Sequence, residues 1–211
     1  MNNVRMLVLI AAVTAAAFVA AYAQHDGNDP DAWEARHNAY QPPEEVMDAL
    51  GIGPGMVVGE VGAGRGRYVA HMSRRLGETG KIYANDIDEQ KLDYLRERCD
   101  RDGMNNVDII LGDVTDPHLP RGELDLVYMI NTYHHVEKPV ELMENIKPSL
   151  KPEGLLVVIE HDADKVGSGS HATRQIDLFT QANEAGYRLV RIETFLERDN
   201  INFFRPAEYF E

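Results

Sequence analysis

The stretch Met56–Tyr68, M-V-V-G-E-V-G-A-G-R-G-R-Y, sets the terms for the rest of the chain. Met56, Val57, Val58 and Val61 make a short apolar run, the pattern of a strand covered on both faces. Gly62, Gly64 and Gly66 follow at alternate positions. They permit a sharp turn and let a ligand approach the backbone without Cβ atoms in the way. Val69, Met72 and Leu76 then fall at i, i+3 and i+7, one face of a helix that Gly77 ends. A helix opening behind such a loop aims its unpaired N–H groups and positive dipole end at it. The three pieces together read as a cradle for a polar or anionic ligand end.

The same alternation recurs along the chain. Pro43 to Leu50 reads as a helix with Val46, Met47 and Leu50 on its apolar face and Gly51 as its stop. Lys81–Asn85 is a second strand, ending in Asp86-Ile87-Asp88, and Asp88 is placed to cap the helix that follows. That helix turns Leu92, Leu95 and Cys99 inward and stops at Gly103; Cys99 is read as a small core residue. Val107–Leu111 is a third strand and Leu124–Ile130 a fourth. A helix from Pro139 carries Leu142, Ile146 and Leu150 at four-residue steps, and a turn at Lys151–Gly154 leads to a fifth strand, Leu155–Ile159. The tail breaks the rhythm: a polar loop over Asp162–Ala172, a helix over Thr173–Ala185, then strands at Tyr187–Leu196 and Ile201–Arg205 joined by Glu197–Asn200. Five alternations with short loops predict a parallel sheet with helices on both faces, and the last two strands predict a hairpin. The expected fold is α/β: a Rossmann-like, doubly wound, mostly parallel seven-stranded sheet with a C-terminal antiparallel hairpin. Phe203, Phe204, Tyr209 and Phe210 are expected in its core and edge.

The N-terminus reads differently. Arg5, the apolar run Met6–Ala20 and the small-x-small stretch Ala21-Tyr22-Ala23 form a secretory signal peptide, residues 1–23. The run is short for spanning about 30 Å of hydrocarbon, so cleavage before Gln24 is expected, with a membrane tie only through an uncleaved signal. Residues 24–42 form a polar leader in which Trp33, Arg36, His37 and Tyr40 make a helical turn, a candidate lid; residues 43–211 form the single domain. The expected location is periplasmic or secreted. One cysteine excludes an intrachain disulfide. Asp and Glu outnumber Lys and Arg by 35 to 21, a surface that disfavours nucleic acid. Oligomeric state is not legible.

The glycine loop selects between two cofactor classes. The dinucleotide fingerprint is G-x-G-x-x-G, but here the glycines fall at 62, 64 and 66 and Arg67 stands where the third is wanted. Glu60 lies two residues before the first glycine. This E-x-G-x-G-x-G spacing resembles motif I of the class I S-adenosylmethionine-dependent methyltransferases. The resemblance covers Pro43 to Arg205. It implies a cofactor, S-adenosyl-L-methionine, held by Glu60, Gly62, Ala63, Gly64, Gly66, Asp86, Ile87, Asp113, Val114 and Asn131. By the same resemblance Asp86 accepts from the ribose hydroxyls, Asp113 and Val114 meet the adenine, and Asn131 lines the methionine end. The chemistry suits the ligand: carboxylates match a diol and an amine, and loop N–H groups match its carboxylate.

Tyr133-His134-His135 follows the fourth strand, beside the expected methyl donor. Transfer needs alignment and a deprotonated nucleophile, so His134 or His135 is a candidate base or substrate anchor, with Tyr133 beside them. Glu160-His161-Asp162, taken with His135, suits a divalent metal, but no ligand spacing enforces it and no metal is expected. His171 is expected on a flap over the substrate rather than in a ligand shell, and Arg65 in solvent or on an acidic neighbour. The acceptor is expected to be a small molecule or an envelope component. The alternatives are a non-catalytic nucleoside-binding protein of the same fold and a nicotinamide-dependent oxidoreductase.

Overall fold

The computed structural model describes residues 30–167 and 171–209, so the expected signal peptide lies outside the described residues. The chain divides into two units between Ala39 and Tyr40. In the first, helix α1 (Pro30–Tyr40) replaces the single turn expected there. Trp33 and His37 stack at 3.8 Å between ring centroids, and His37 Nδ1 lies 2.8 Å from the Trp33 carbonyl oxygen.

The second unit is built on one sheet. Its elements are α2 (Pro43–Leu50), β1 (Val57–Val61), α3 (Arg67–Leu76), β2 (Lys81–Asp86), α4 (Glu89–Asp102), β3 (Val107–Leu111), β4 (Leu124–Ile130), α5 (Pro139–Ile146), β5 (Leu150–His161), α6 (Ala163–Val166), α7 (Gln175–Glu184), β6 (Tyr187–Glu193) and β7 (Asp199–Pro206). The strand order is β3-β2-β1-β4-β5-β7-β6. Strands β1 to β5 pair in parallel, and β7 runs antiparallel to both its neighbours, β5 and β6. The expected seven-stranded, mostly parallel sheet with an antiparallel terminal pair is therefore the fold of the protein.

Two hydrophobic cores form. One gathers Val46, Met47, Val69, Met72, Leu92 and Leu95 from α2, α3 and α4. The other gathers Leu142, Met143, Ile146, Leu178 and Ala182 from α5 and α7. Each fully buried Leu, Ile or Met contributes roughly 1.5–3 kcal/mol of transfer free energy. The element ends obey local rules: Gly51 closes α2 in the left-handed region (φ 71°), and Asp88 Oδ1 accepts from the N–H groups of Gln90 and Lys91 at the start of α4. Cys99 is half-buried against the first core, and burial pushes its thiol up.

The structure corrects several boundaries. Helix α5 stops at Ile146, and Leu150 belongs to β5, because Pro148 cannot continue a helix and leaves a 3-10 turn over Lys147–Ser149. The expected turn at Lys151–Gly154 is instead strand, absorbed by a register shift between Leu124 and Leu126 on β4. Asp162 caps the short α6 inside the expected loop, its Oδ1 accepting from Asp164 N–H at 3.0 Å. Asp199 and Asn200 enter β7 rather than the hairpin turn. Phe203 and Phe204 are fully buried, Tyr209 is exposed, and Phe210 lies outside the described residues. Among the described residues no helix is long and apolar enough to cross a membrane.

Candidate cofactor crevice and active site

The chain leaves β1 towards β2 and β3 on one side and returns to β4 and β5 on the other. In such open sheets the crevice at the carboxyl ends of the strands, where the order reverses, is the ligand site. The glycine loop stands at that point. All three glycines have positive φ: 81° at Gly62, 57° at Gly64 and 82° at Gly66. Packing explains two of them, since a Cβ on Gly62 would strike the Thr132 side chain and one on Gly66 would strike Leu95. At Gly64 a Cβ would meet nothing within 4 Å. Gly64 therefore presents bare backbone to open space, as a ligand cradle requires.

One expectation about the loop needs correction. Four of its N–H groups are not held out for a ligand carboxylate. Gly62 and Ala63 both donate to the Asn85 carbonyl, at 2.9 and 2.8 Å, and Gly66 donates to Ala63 at 2.9 Å. Gly64 donates to Asp86 Oδ2 at 2.8 Å. The loop is locked to the end of β2, which fixes its shape in advance of any ligand.

Asp86 is buried at the end of β2, and its Oδ1 accepts from the Asp88 N–H at 3.0 Å. A carboxylate offers about four acceptor directions, so two remain for a diol after these two bonds. Ile87 and Val114, the residues past the ends of β2 and β3, are apolar yet 59% and 50% exposed. They are surface that a flat heterocycle would cover. Asp113 is exposed, and His118 Nε2 lies 3.2 Å from its Oδ2. Arg65 is exposed, its guanidinium 5.2 Å from the Tyr94 ring centroid rather than on an acid.

Glu60 is buried on β1 and accepts from Tyr128 O–H at 2.8 Å. Desolvation dominates, and Glu60 is pushed up to about 8 despite the Tyr128 bond and the nearby Arg67 charge, which pull the other way. Beside it lies a residue that pattern reading missed. Gln41 is fully buried; its Oε1 accepts from Arg67 Nη2 at 2.6 Å and from Asn131 Nδ2 at 3.1 Å. Its Nε2 donates to Asn131 Oδ1 at 2.9 Å, and its carbonyl accepts from Tyr68 O–H at 3.0 Å. Gln41 thus fixes Asn131, which sits in the left-handed region (φ 51°) straight after β4. No local signal marks Gln41, because its partners are 26 and 90 residues away.

The 3-10 turn Tyr133–His135 follows. Tyr133 does not serve the site: it is buried in the second core and donates its hydroxyl to Gln181 Oε1, and burial raises its pKa. His134 is nearly buried and gripped by Glu160 at the end of β5. Its backbone N–H reaches Glu160 Oε2 at 3.1 Å and its Nδ1 lies 2.8 Å from Glu160 Oε1. His135 is exposed, and partial desolvation with the two neighbouring imidazoles lowers its pKa. His171 is not an independent flap residue: its Nδ1 lies 3.2 Å from His134 Nε2. The expected grouping of His135 with Glu160, His161 and Asp162 does not form either. His161 pairs with Asp199, and Asp162 accepts from Asn200 Nδ2 at 2.6 Å.

A family model described as a methyltransferase domain matches residues 59–158, from β1 to β5. The curated relative "Ubiquinone/menaquinone biosynthesis C-methyltransferase UbiE" of Hydrogenovibrio crunogenus is 32% identical over 116 residues, 54% of this chain and 46% of that protein. A solved S-adenosylmethionine-dependent methyltransferase from Aquifex aeolicus superposes with a TM-score of 0.74 at 26% identity, covering 85% of this chain and 94% of that one. Over residues 59–158 the chain matches a methyltransferase domain, and its fold is that of the solved S-adenosylmethionine-dependent methyltransferase. A TehB-like methyltransferase from Corynebacterium glutamicum, 16% identical with a TM-score of 0.64, shares the fold over 87% of this chain and 98% of its own. The chain spans about half the length of the curated relatives it matches. The cofactor that these matches imply is S-adenosylmethionine. The open cradle at Gly64, the spare acceptor directions of Asp86 and the bare apolar Ile87 and Val114 fit that ligand. The antiparallel β7 between β5 and β6 departs from the 3-2-1-4-5-6 order of dinucleotide folds, which sets the nicotinamide reading aside.

Proposed function

We propose that this protein transfers the methyl group of S-adenosylmethionine to a small-molecule or envelope acceptor outside the cytoplasm. The observation that carries the reading is the Gly64 position, where a Cβ would meet open space and the backbone N–H is bonded to the buried Asp86 carboxylate. The cofactor supplies an activated methyl group when bound. Asp86 accepts from its ribose hydroxyls, Ile87 and Val114 cover the faces of its base, and Asp113 accepts from the exocyclic amine. Glu60 and Asn131 address the amino-acid end, with Asn131 held at the correct angle by Gln41. The acceptor approaches past the 3-10 turn, where His135 is the exposed group and His134 is the residue that holds the turn to Glu160. In-line transfer depends chiefly on this alignment. The net charge of −14 argues against a nucleic-acid acceptor. The apolar N-terminal run supports export, and with it an acceptor of the envelope.

The test is transfer of a labelled methyl group from S-adenosylmethionine to fractions of envelope extract and to a panel of small hydroxyl, thiol and carbon acids. Label recovered in an acceptor, and lost with Asp86→Asn, supports the proposal. Tight cofactor binding with no transfer to any fraction would favour a nucleoside-binding protein of the same fold.

A further inference from the structure

His134, His135 and His171 form the one group of three metal-type ligands among the described residues, each with a ring nitrogen within 4.8 Å of the others. The ring centroids of His134 and His135 are 4.0 Å apart, and those of His171 lie 5.1 and 5.7 Å from them. We propose that these three imidazoles form a binding site for a divalent first-row transition ion of the zinc type. Nothing in the methyltransferase fold requires such a site, and the inference does not rest on the transfer reaction.

Distance is the first argument. At a metal–nitrogen length of about 2.0–2.1 Å, tetrahedral ligands stand about 3.3 Å from one another. His134 Nε2 and His171 Nδ1 are already 3.2 Å apart. The third nitrogen lies no farther than 4.8 Å, on the exposed ring of His135, so a side-chain rotation closes the set.

Tautomer is the second. Glu160 is 1% exposed and accepts from both the backbone N–H and Nδ1 of His134. A buried carboxylate on Nδ1 places the proton there and leaves the Nε2 lone pair facing the cluster. This is the carboxylate–histidine arrangement that orients a ligand and raises its basicity in metal centres. Delivery is the third. His171 arrives from a loop pinned two residues later, where Thr173 N–H donates to the His161 carbonyl at 2.9 Å and Thr173 bridges to Asp162. The end of β5 thus supports two of the three ligands, His134 through Glu160 and His171 through Thr173.

The donor set selects the ion. Three neutral nitrogens with no oxygen or thiolate ligand suit zinc, cobalt, nickel or copper and disfavour calcium and magnesium. Three protein ligands leave a fourth position for water, or for an oxygen or sulfur donor on an acceptor. The sequence offers His171 only as a loop residue, 36 residues beyond His135 with no motif spacing between them.

The experiment is calorimetric titration of the chelator-treated full chain with zinc chloride, with the visible d–d bands of a cobalt titration as a second readout. One ion per chain with tetrahedral cobalt bands is expected. His135→Ala and His171→Ala should each weaken zinc binding at least tenfold, and Glu160→Gln by about 10–100-fold. His71→Ala, on the α3 helix outside the cluster, should leave it unchanged. Circular dichroism reports whether each variant is folded, and His135 and His171 are exposed, so both should be. No uptake by the folded wild-type chain, or uptake that survives both His135→Ala and His171→Ala, would overturn the proposal.

Discussion

Replacing Glu60 by Gln should make the protein less sensitive to alkali. Glu60 is buried, and desolvation pushes its pKa up from 4.5 to about 8. In the folded state its charged form is disfavoured, while in the unfolded chain it ionises freely. The group's contribution is therefore fully present below pH 4.5 and is lost as pH rises, until the folded-state pKa near 8 is passed. The full span is about 5 kcal/mol, from 3.5 pKa units at 1.36 kcal/mol each. Between pH 6 and pH 9 about 3 kcal/mol of that is lost, from the two units below 8. Gln is the right substitution because its amide oxygen still accepts from Tyr128 O–H and it does not titrate. Urea unfolding of the cofactor-free protein and of Glu60→Gln, at pH 6 and pH 9, isolates the term, because every other titrating group is shared. The difference between the two proteins should move by about 3 kcal/mol in favour of the variant on going to pH 9. A difference that stays constant with pH would refute the claim that Glu60 is held neutral by burial.

Other expectations concern the crevice. Gly64→Ala should cost roughly 1–2 kcal/mol of stability for its left-handed backbone, since the added methyl meets no atom, yet it should weaken cofactor binding far more. Gly66→Ala should do the reverse, striking Leu95 and unfolding at lower urea. Gln41→Ala should cost about 1–3 kcal/mol by stranding the Asn131 amide and removing one acceptor of Arg67, measured by thermal unfolding, and should lower cofactor affinity with it. Leu95→Ala, in the core beneath the loop, should cost about 2–5 kcal/mol with cofactor affinity falling less than in Gly64→Ala.

The frame of the molecule is legible because its punctuation is local. Pro43, Gly51, Gly77, Asp88 and Gly103 each start or stop an element by their own backbone chemistry, and all act as expected. Pro148 is the same kind of signal, but the four-residue step from Ile146 to Leu150 mimics a continuing helix across it. Lys151–Gly154 looked like a turn by composition, and strand pairing with β4 drew it into β5. The glycine loop was legible as a loop, though not in where its N–H groups go, because the Asn85 carbonyl and the Asp86 carboxylate belong to another strand. Tyr133 looked functional by position and is core, because the 3-10 turn sends its ring inward and its neighbour's ring towards Glu160. Gln41 left no local signal, and His171, legible as a loop residue, gave no sign of meeting His134, for one reason: a side chain acting on residues far along the chain leaves no periodic trace.

The most direct measurement is calorimetric titration with S-adenosylhomocysteine, which keeps the nucleoside and amino-acid ends of the cofactor. One site per chain is predicted, with affinity falling about 10–100-fold in Asp86→Asn as charge-assisted bonds to the ribose are lost. No binding by the folded wild-type protein, or binding indifferent to Asp86→Asn, would contradict the assignment of the crevice.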